Sequence, residues 1–477
     1  MYLGIDVGTG GVRCAVCTPD GRCVASGAAG LKDAEVPNLP LGRHEQQPDA
    51  WWRALSNCLR SMKGKAPFGD IAALSVDSTS GTVLFLDAAN RPLRPALMYN
   101  DSRAVEQARR VNDAAGEFTD RHGYRFNASF ALAKILWVKE REPNVFAKTT
   151  RICHPADYVA GRIRGDYSVT DTSNALKTGC DLFDGTWPEF ISGGLGIPVE
   201  KLPRLVAPGT PTGNVCRSAA RDLGLSENTI VVAGCTDGTA GFLASGAAGE
   251  GQWASVLGTT LVLRGISKSI VKDPAGRIYC HRHPDGWWLP GAACTVGGEC
   301  LIVHFPRRDL TQLDRLAVES PLTDLIYYPL VRRGERFPFV NPNAEGFLSR
   351  KPANQVELHM ACLEGVAFVE RWAMDVFAEL GADVTGPVHA TGGGAKSGLW
   401  LSIRASVLGR EMQVPEHSGC EIGAVTLAAA PDCGSVSEAC RRIVRIRHSI
   451  GPDAALRKHY DHKYAEFRRL CTERGYV

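Results

Sequence analysis

The stretch Tyr2-Leu3-Gly4-Ile5-Asp6-Val7-Gly8-Thr9-Gly10-Gly11-Val12-Arg13-Cys14-Ala15-Val16 is two apolar runs joined by a bend of small residues. Apolar segments flanking a Gly/Thr turn predict a β-hairpin. Pro19-Asp20-Gly21 then turns the chain into a third strand around Val24. The design returns about half a chain later in Gln252-Trp253-Ala254-Ser255-Val256-Leu257-Gly258-Thr259-Thr260-Leu261-Val262-Leu263. Two such hairpins, so far apart, predict two domains of similar architecture. In a third segment, Pro387-Val388-His389-Ala390-Thr391 reads as a strand that runs into Gly392-Gly393-Gly394 and then a helix through Trp400.

Outward from these anchors, strands and helices alternate. Residues 71–76 and 83–86 read as strands, and 230–233 as a short buried strand ending at Gly234-Cys235-Thr236-Asp237-Gly238. Residues 358–380 carry Leu363, Val366, Ala367, Ala373, Val376, Phe377 and Leu380 at helical spacing. Glu370 falls inside that stripe, so it must be solvated or paired. From Asp453 the tail reads as an amphipathic helix with Leu456, Tyr460, Tyr464, Phe467 and Leu470 on one face. The alternation predicts an α/β protein. No low-complexity linker interrupts it, and the expected boundary precedes the Ile230 strand, giving domains 1–229 and 230–477.

The 477 residues are too many for one typical domain and suit two of about 200 each. With 44% hydrophobic and 22% charged residues, the composition is that of an ordinary globular protein. A net charge of +3 without a basic run argues against nucleic acid or an anionic membrane surface as partner. No apolar stretch approaches the roughly 18 residues of a membrane span. The opening Met1–Asp6 has no basic leader, which predicts a cytoplasmic chain without a secretory signal. The 16 cysteines are scattered and mostly lie in apolar segments, so they read as buried, reduced thiols. Cys14 and Cys17 form a Cys-x-x-Cys, but on a strand residues three apart point to opposite faces.

Several segments could carry chemistry. Glycines in Asp6-Val7-Gly8-Thr9-Gly10-Gly11 would let backbone N–H groups approach an anion, and Thr9 adds a hydroxyl. An aspartate beside such a cradle suits Mg²⁺ held through water. The plainer alternative is a tight hairpin with a solvated Asp6. Gly258-Thr259-Thr260 is ordinary turn chemistry alone and gains meaning as the partner of the first loop. Asp237, between a buried strand and a helix start, is either an N-cap or a general base. Gly392–Gly394 is either a tight connection or a nucleotide turn. The dinucleotide fingerprint fails there because Gly398 comes one residue too late. A P-loop fails because Gly64-Lys65 is followed by Ala66. Asp77-Ser78-Thr79-Ser80-Gly81 and Tyr99-Asn100-Asp101-Ser102-Arg103 offer the hydroxyls, carboxylates and guanidinium a polyol would need, though both are also turn compositions.

In this order, from Tyr2 to about Ala430, the segments resemble the FGGY carbohydrate kinases, a branch of the actin, hexokinase and Hsp70 superfamily. His44-Glu45-Gln46-Gln47-Pro48 before Trp51-Trp52, Lys134–Trp137 and Asp157-Tyr158 also fit that family. The resemblance implies two actin-like, ribonuclease H-like ATPase domains flanking a deep nucleotide and sugar cleft. It implies ATP held by Thr9, Gly10, Gly258, Thr259, Thr260, Gly392, Gly393, Gly394 and Ser397, with Mg²⁺ placed by Asp6 and Asp237. The sugar would lie near Ser80, Asp101, Arg103 and Asp237, with Asp237 as general base. Asp77–Leu84, Asp171–Gly179, Tyr327–Leu330 and Arg333–Pro338 resemble the ribulokinase and xylulokinase side of the family, with a lean toward D-ribulose over D-xylulose. Two departures stand out. Gly10-Gly11 occupies a place where relatives often have a hydroxyl residue, and Ser397 one where they often have Asn. An actin- or Hsp70-like ATPase and a non-catalytic sugar sensor are the competing readings; a dehydrogenase is a distant one. A homodimer is left open.

Overall fold

The computed structural model describes residues 1–476 and divides into two compact units. The first comprises Met1–Ala244, Arg282–Gly286 and Gly419–Arg445. The second comprises Ser245–His281, Trp287–Ser418 and Ile446–Val477.

The first unit is built on a six-stranded sheet of β1 (Tyr2–Val7), β2 (Gly11–Cys17), β3 (Cys23–Gly30), β4 (Ala73–Ser78), β5 (Pro211–Asn214) and β6 (Ile230–Val232), in the order β5-β6-β4-β1-β2-β3. The opening hairpin is antiparallel, with Gly8 N donating to Gly11 O across the bend at 3.0 Å. β1, β4 and β6 run parallel. Helix Pro48–Ser61 covers this sheet, with Trp51 and Leu55 in the core beside Leu3, Val12 and Leu74. The run 83–86 shrinks to Leu84–Leu86 and pairs with Arg151–Cys153 outside the main sheet.

The expected boundary at residue 230 is displaced. Ile230–Val232 is hydrogen-bonded to β4, so it completes the first sheet and does not open a second domain. Asp237 and the late helices Cys420–Cys433 and Val436–Ile443 also belong to the first unit.

The second unit holds a seven-stranded sheet of β7 (Trp253–Leu257), β8 (Leu261–Gly265), β9 (Tyr279–Arg282), β10 (Trp288–Ala293), β11 (Val388–Thr391), β12 (Met412–Pro415) and β13 (Ile446–Ile450), in the order β9-β10-β8-β7-β11-β12-β13. The expected helix 358–380 is Gln355–Glu379, opened by Asn354, whose side chain accepts from Glu357 N. Glu370 is paired. It accepts from Arg404 Nε at 2.7 Å and Nη2 at 2.8 Å and from Ser255 Oγ at 2.6 Å, with both charged side chains wholly buried. The tail helix is Ala454–Glu473, and it buries Tyr460, Tyr464 and Phe467.

Candidate active site

Parallel pairing assembles the acidic centre of the first unit. Asp6 near the end of β1 is in register with Asp77 of β4, so their side chains share a face. Ser78 bridges Thr236, the residue before Asp237. Three carboxylates therefore gather at the C-terminal ends of adjacent parallel strands, where α/β sheets commonly bind ligands. Glu421 joins them electrostatically from helix Cys420–Cys433, which packs on β1. Burial pushes the Asp6 carboxyl up and Glu421 and Asp237 add to that, while its link to Asp77 and Arg13 at 3.5 Å oppose it. Asp77 is fully buried and no donor reaches either of its oxygens. Burial raises it well above the carboxylate range, and Asp6, Asp237 and Glu421 raise it further.

The N-cap alternative for Asp237 does not hold. Thr236 occupies the cap position of helix Asp237–Leu243, and the half-buried Asp237 is the first helical residue. Its Oδ1 accepts from the neighbouring Gly238 N at 2.6 Å. Gly234, just upstream, passes so close to β4 that a Cβ would overlap the Val76 carbonyl oxygen. That approach allows β6 to deliver Asp237 to the strand ends.

The first Gly/Thr loop is braced from below. Gln46 Nε2 donates to Thr9 O at 3.0 Å, and Trp51 Nε1 donates to Gln46 Oε1 at 2.9 Å. The His44–Trp52 segment thus serves to set the loop that carries Thr9 and the exposed Gly10.

The residues expected around the sugar fall into two groups. Asp101 and Arg103 are bonded to each other, Nε to Oδ1 at 2.8 Å and Nη2 to Oδ2 at 2.7 Å, and Asp101 Oδ2 also accepts from His44 N at 2.7 Å. Burial alone would raise the Asp101 carboxyl, but these bonds hold it below its ordinary value. Arg103 continues to Glu45 at 2.7 Å, so the pair braces the wall beneath the exposed Tyr99 and Asn100. Ser80 instead is half-buried, and the adjoining Gly81 lies beside Lys177. Lys134 Nζ donates to Gly81 O and Ser129 O, both at 3.0 Å, and burial pushes its pKa down to about 7. Lys177 makes no hydrogen bond among the described residues, lies over the Phe130 ring and feels the charge of Asp237. Sequence reasoning touched Lys134 and Lys177 only through family likeness and missed Asp77 and Glu421 as members of the centre. β4 is buried at every position, so no alternation singled out Asp77.

In the second unit β7 pairs parallel with β11, which sets Gly258-Thr259-Thr260 beside the triple-glycine turn. Gly258 N donates to Thr260 O at 3.0 Å, while Gly298 N and Glu299 N bond back to Gly258 O and Thr259 O. Gly258 and Thr259 remain exposed. Gly392 has φ +81°, and a Cβ there would sit 2.6 Å from Leu257 O, so the turn requires glycine. Ser397 caps helix Gly398–Leu408 by accepting from Trp400 N at 3.0 Å and donates to Asp314 Oδ2 at 2.7 Å. Cavities of about 460 and about 400 Å³ flank this turn and share Lys396.

A braced glycine loop, an aspartate at the strand ends and a triple-glycine turn agree with what the chain matches. It belongs to the FGGY family of carbohydrate kinases, matching the N-terminal domain over residues 1–244 and the C-terminal domain over 274–431. It is 32% identical to a xylulose kinase of Streptomyces coelicolor, covering 95% of this chain and 92% of that one. It is 27% identical to a gluconokinase of Bacillus subtilis, over 89% and 86%. The crystal structure of a xylulose kinase from Rhodospirillum rubrum superposes with TM-score 0.85 at 26% identity, covering 99% and 98% of the two chains. The chain is a carbohydrate kinase.

Proposed function

We propose that the enzyme transfers the terminal phosphoryl group of ATP to the terminal hydroxyl of a ketopentose, D-ribulose or D-xylulose, yielding the 5-phosphate and ADP. The observation that carries this is the position of Asp237, which opens helix Asp237–Leu243 at the strand ends, with Ser80 and Lys177 in the same unit. Asp237 takes the hydroxyl proton as the sugar oxygen bonds to phosphorus and the bond to the ADP oxygen breaks. Similarity to xylulose kinases supports the ketopentose. The gluconokinase relative makes D-gluconate the informative rival, because an unpaired lysine would also suit a sugar acid.

Thr9, Gly10, Gly258, Thr259 and Thr260 are assigned to the phosphates. Gly392–Gly394 and Ser397 are assigned to adenosine. Among the described residues no three His, Cys, Asp or Glu side chains converge to cage a metal directly. Asp6 and Asp237, beside the donorless oxygens of Asp77, suit a Mg²⁺ ion that keeps its waters and binds mainly to phosphate. Such an ion would neutralise phosphate charge.

The test is ADP release with Mg-ATP and D-ribulose, D-xylulose, D-gluconate, glycerol or no sugar, for the native chain and for Asp237→Ala. A ketopentose preference and a loss of about 10²-fold or more in kcat, with the fold intact, are expected. Equal rates in every tube would instead mark an ATPase, and near-native turnover in the variant would remove Asp237 from the mechanism.

A further inference from the structure

Asp314 is bonded on both oxygens. His359 Nε2 donates to Oδ1 at 2.7 Å, and Ser397 Oγ donates to Oδ2 at 2.7 Å. His359 is buried on helix Gln355–Glu379, so the carboxylate is held from two sides. Among the described residues Asp314 is also the only carboxylate lining the 460 Å³ cavity beside Gly393, whose walls include Leu301, Leu363 and Trp400. A cavity of about 300–1,000 Å³ with apolar walls and a few fixed polar groups is the usual form of a small-molecule site.

The hydrogen-bond inventory narrows what fits. Ser397 has one hydroxyl proton, and it goes to Asp314 while the oxygen accepts from Trp400 N. Neither Ser397 nor Asp314 therefore has a proton for a ligand. Each carboxylate oxygen retains a lone pair. At Asp314 and Ser397 the wall accepts and does not donate, while Thr311, Arg315 and Lys396 are the donor side chains elsewhere in the lining. The six-position amino group of adenine is a donor that satisfies it. The six-position carbonyl of hypoxanthine or guanine would bring an acceptor against a carboxylate. Lys396, at the rim shared with the second cavity, offers a cation toward the anionic end of a nucleotide.

We infer that Asp314, held by His359 and Ser397, is the group that selects an adenine nucleotide over a six-oxo purine nucleotide. The inference rests on the nucleotide assignment above and adds to it the residue that reads the base. An Asn at position 397 could donate to a base by itself; here Ser397 orients Asp314 instead.

Calorimetric titration of the full chain with ADP, IDP, GDP and purine riboside diphosphate, without sugar, tests this. ADP should bind on the order of 10- to 100-fold more tightly than the other three, the worth of a hydrogen bond to a charged group. Asp314→Asn, which offers an amide donor, should bring IDP to within a few fold of ADP. Ser397→Ala, which frees Asp314 to turn, should narrow the gap partway. Equal binding of ADP and IDP by the native chain, or a gap unchanged in a folded Asp314→Asn, would overturn the inference. The native-chain comparison needs no variant, so a failure of Asp314→Asn to fold leaves the test intact. Tight, selective ADP binding with no sugar phosphorylated would refute the kinase reaction and uphold the base reader. Sugar phosphorylation from ATP and ITP alike would do the reverse.

Discussion

Replacing Glu370 by Gln keeps the volume and the hydroxyl contact but removes the charge that faces Arg404. Both side chains are wholly buried, and Arg404 Nη1 already lacks a partner. The guanidinium would then sit in the core with a neutral acceptor in place of a bidentate carboxylate. Removing one member of a buried pair costs about 3–5 kcal/mol, because the remaining charge loses its compensation. At about 2–4 °C per kcal/mol for a unit of this size, the transition of the second unit should fall by roughly 6–20 °C in scanning calorimetry. The double variant Glu370→Met/Arg404→Met removes both charges and should recover most of that loss. The triad ties β7, helix Gln355–Glu379 and helix Gly398–Leu408 together. The Gly258 loop follows β7 and the Gly392 turn leads into helix Gly398–Leu408, so the single variant should also raise the apparent KM for ATP at temperatures where it is still folded. A single variant losing less than about 1 kcal/mol, or a double variant no better than the single, would refute the argument.

Lys177→Met should raise the sugar KM, lowering kcat/KM by about 10- to 100-fold through loss of a charged donor, while sugar-independent ATP hydrolysis stays unchanged; initial rates over a sugar titration decide it. His389 is buried beside β12, its Nδ1 bonded to Ser245 O at 3.0 Å, and burial pushes its pKa down to about 4. The unfolded chain binds that proton at its ordinary pKa near 6.5, so stability should fall as pH drops from about 6.5 to 4, by on the order of 3 kcal/mol. Urea unfolding across that window should show a shallower pH slope for His389→Gln, and an unchanged slope would exclude His389 as the source.

The hairpins, the triple-glycine turn and the long helix were legible because their signals are local: small residues at bends and apolar residues at strand or helix spacing. The domain boundary was not, because strand pairing decides it. Ile230–Val232 looks like the start of something new, yet its hydrogen bonds go to β4. Likewise nothing near residues 419–445 says that this segment returns to the first unit. The bends at Thr9, Gly258 and Gly392 were readable from turn chemistry. The roles of Asp101 and Arg103 were not, since two residues that suit a polyol also suit each other, and the structure shows them satisfied as a pair.

The same comparison separates acids that hold the fold from acids assigned above to the reaction. Glu370 has Arg404 and Ser255, Glu364 has Lys463, and Asp101 has Arg103 and a backbone N–H. Each is buried and each is compensated. Asp77 is just as buried, but nothing around it lowers its pKa, and neither oxygen receives a donor. A buried acid that faces only other acids costs stability that the compensated acids do not cost. The deficit lies beside Asp6 and Asp237, at the strand ends where the chemistry is assigned. Positive charge arriving with the substrate complex, as a hydrated divalent cation on phosphate, would offset it there. A centre completed only by its ligands leaves such an imbalance in the protein alone, and no spacing rule in the sequence could have exposed it, because Asp6 and Asp77 lie on strands, and Asp237 follows one, that only pairing brings together.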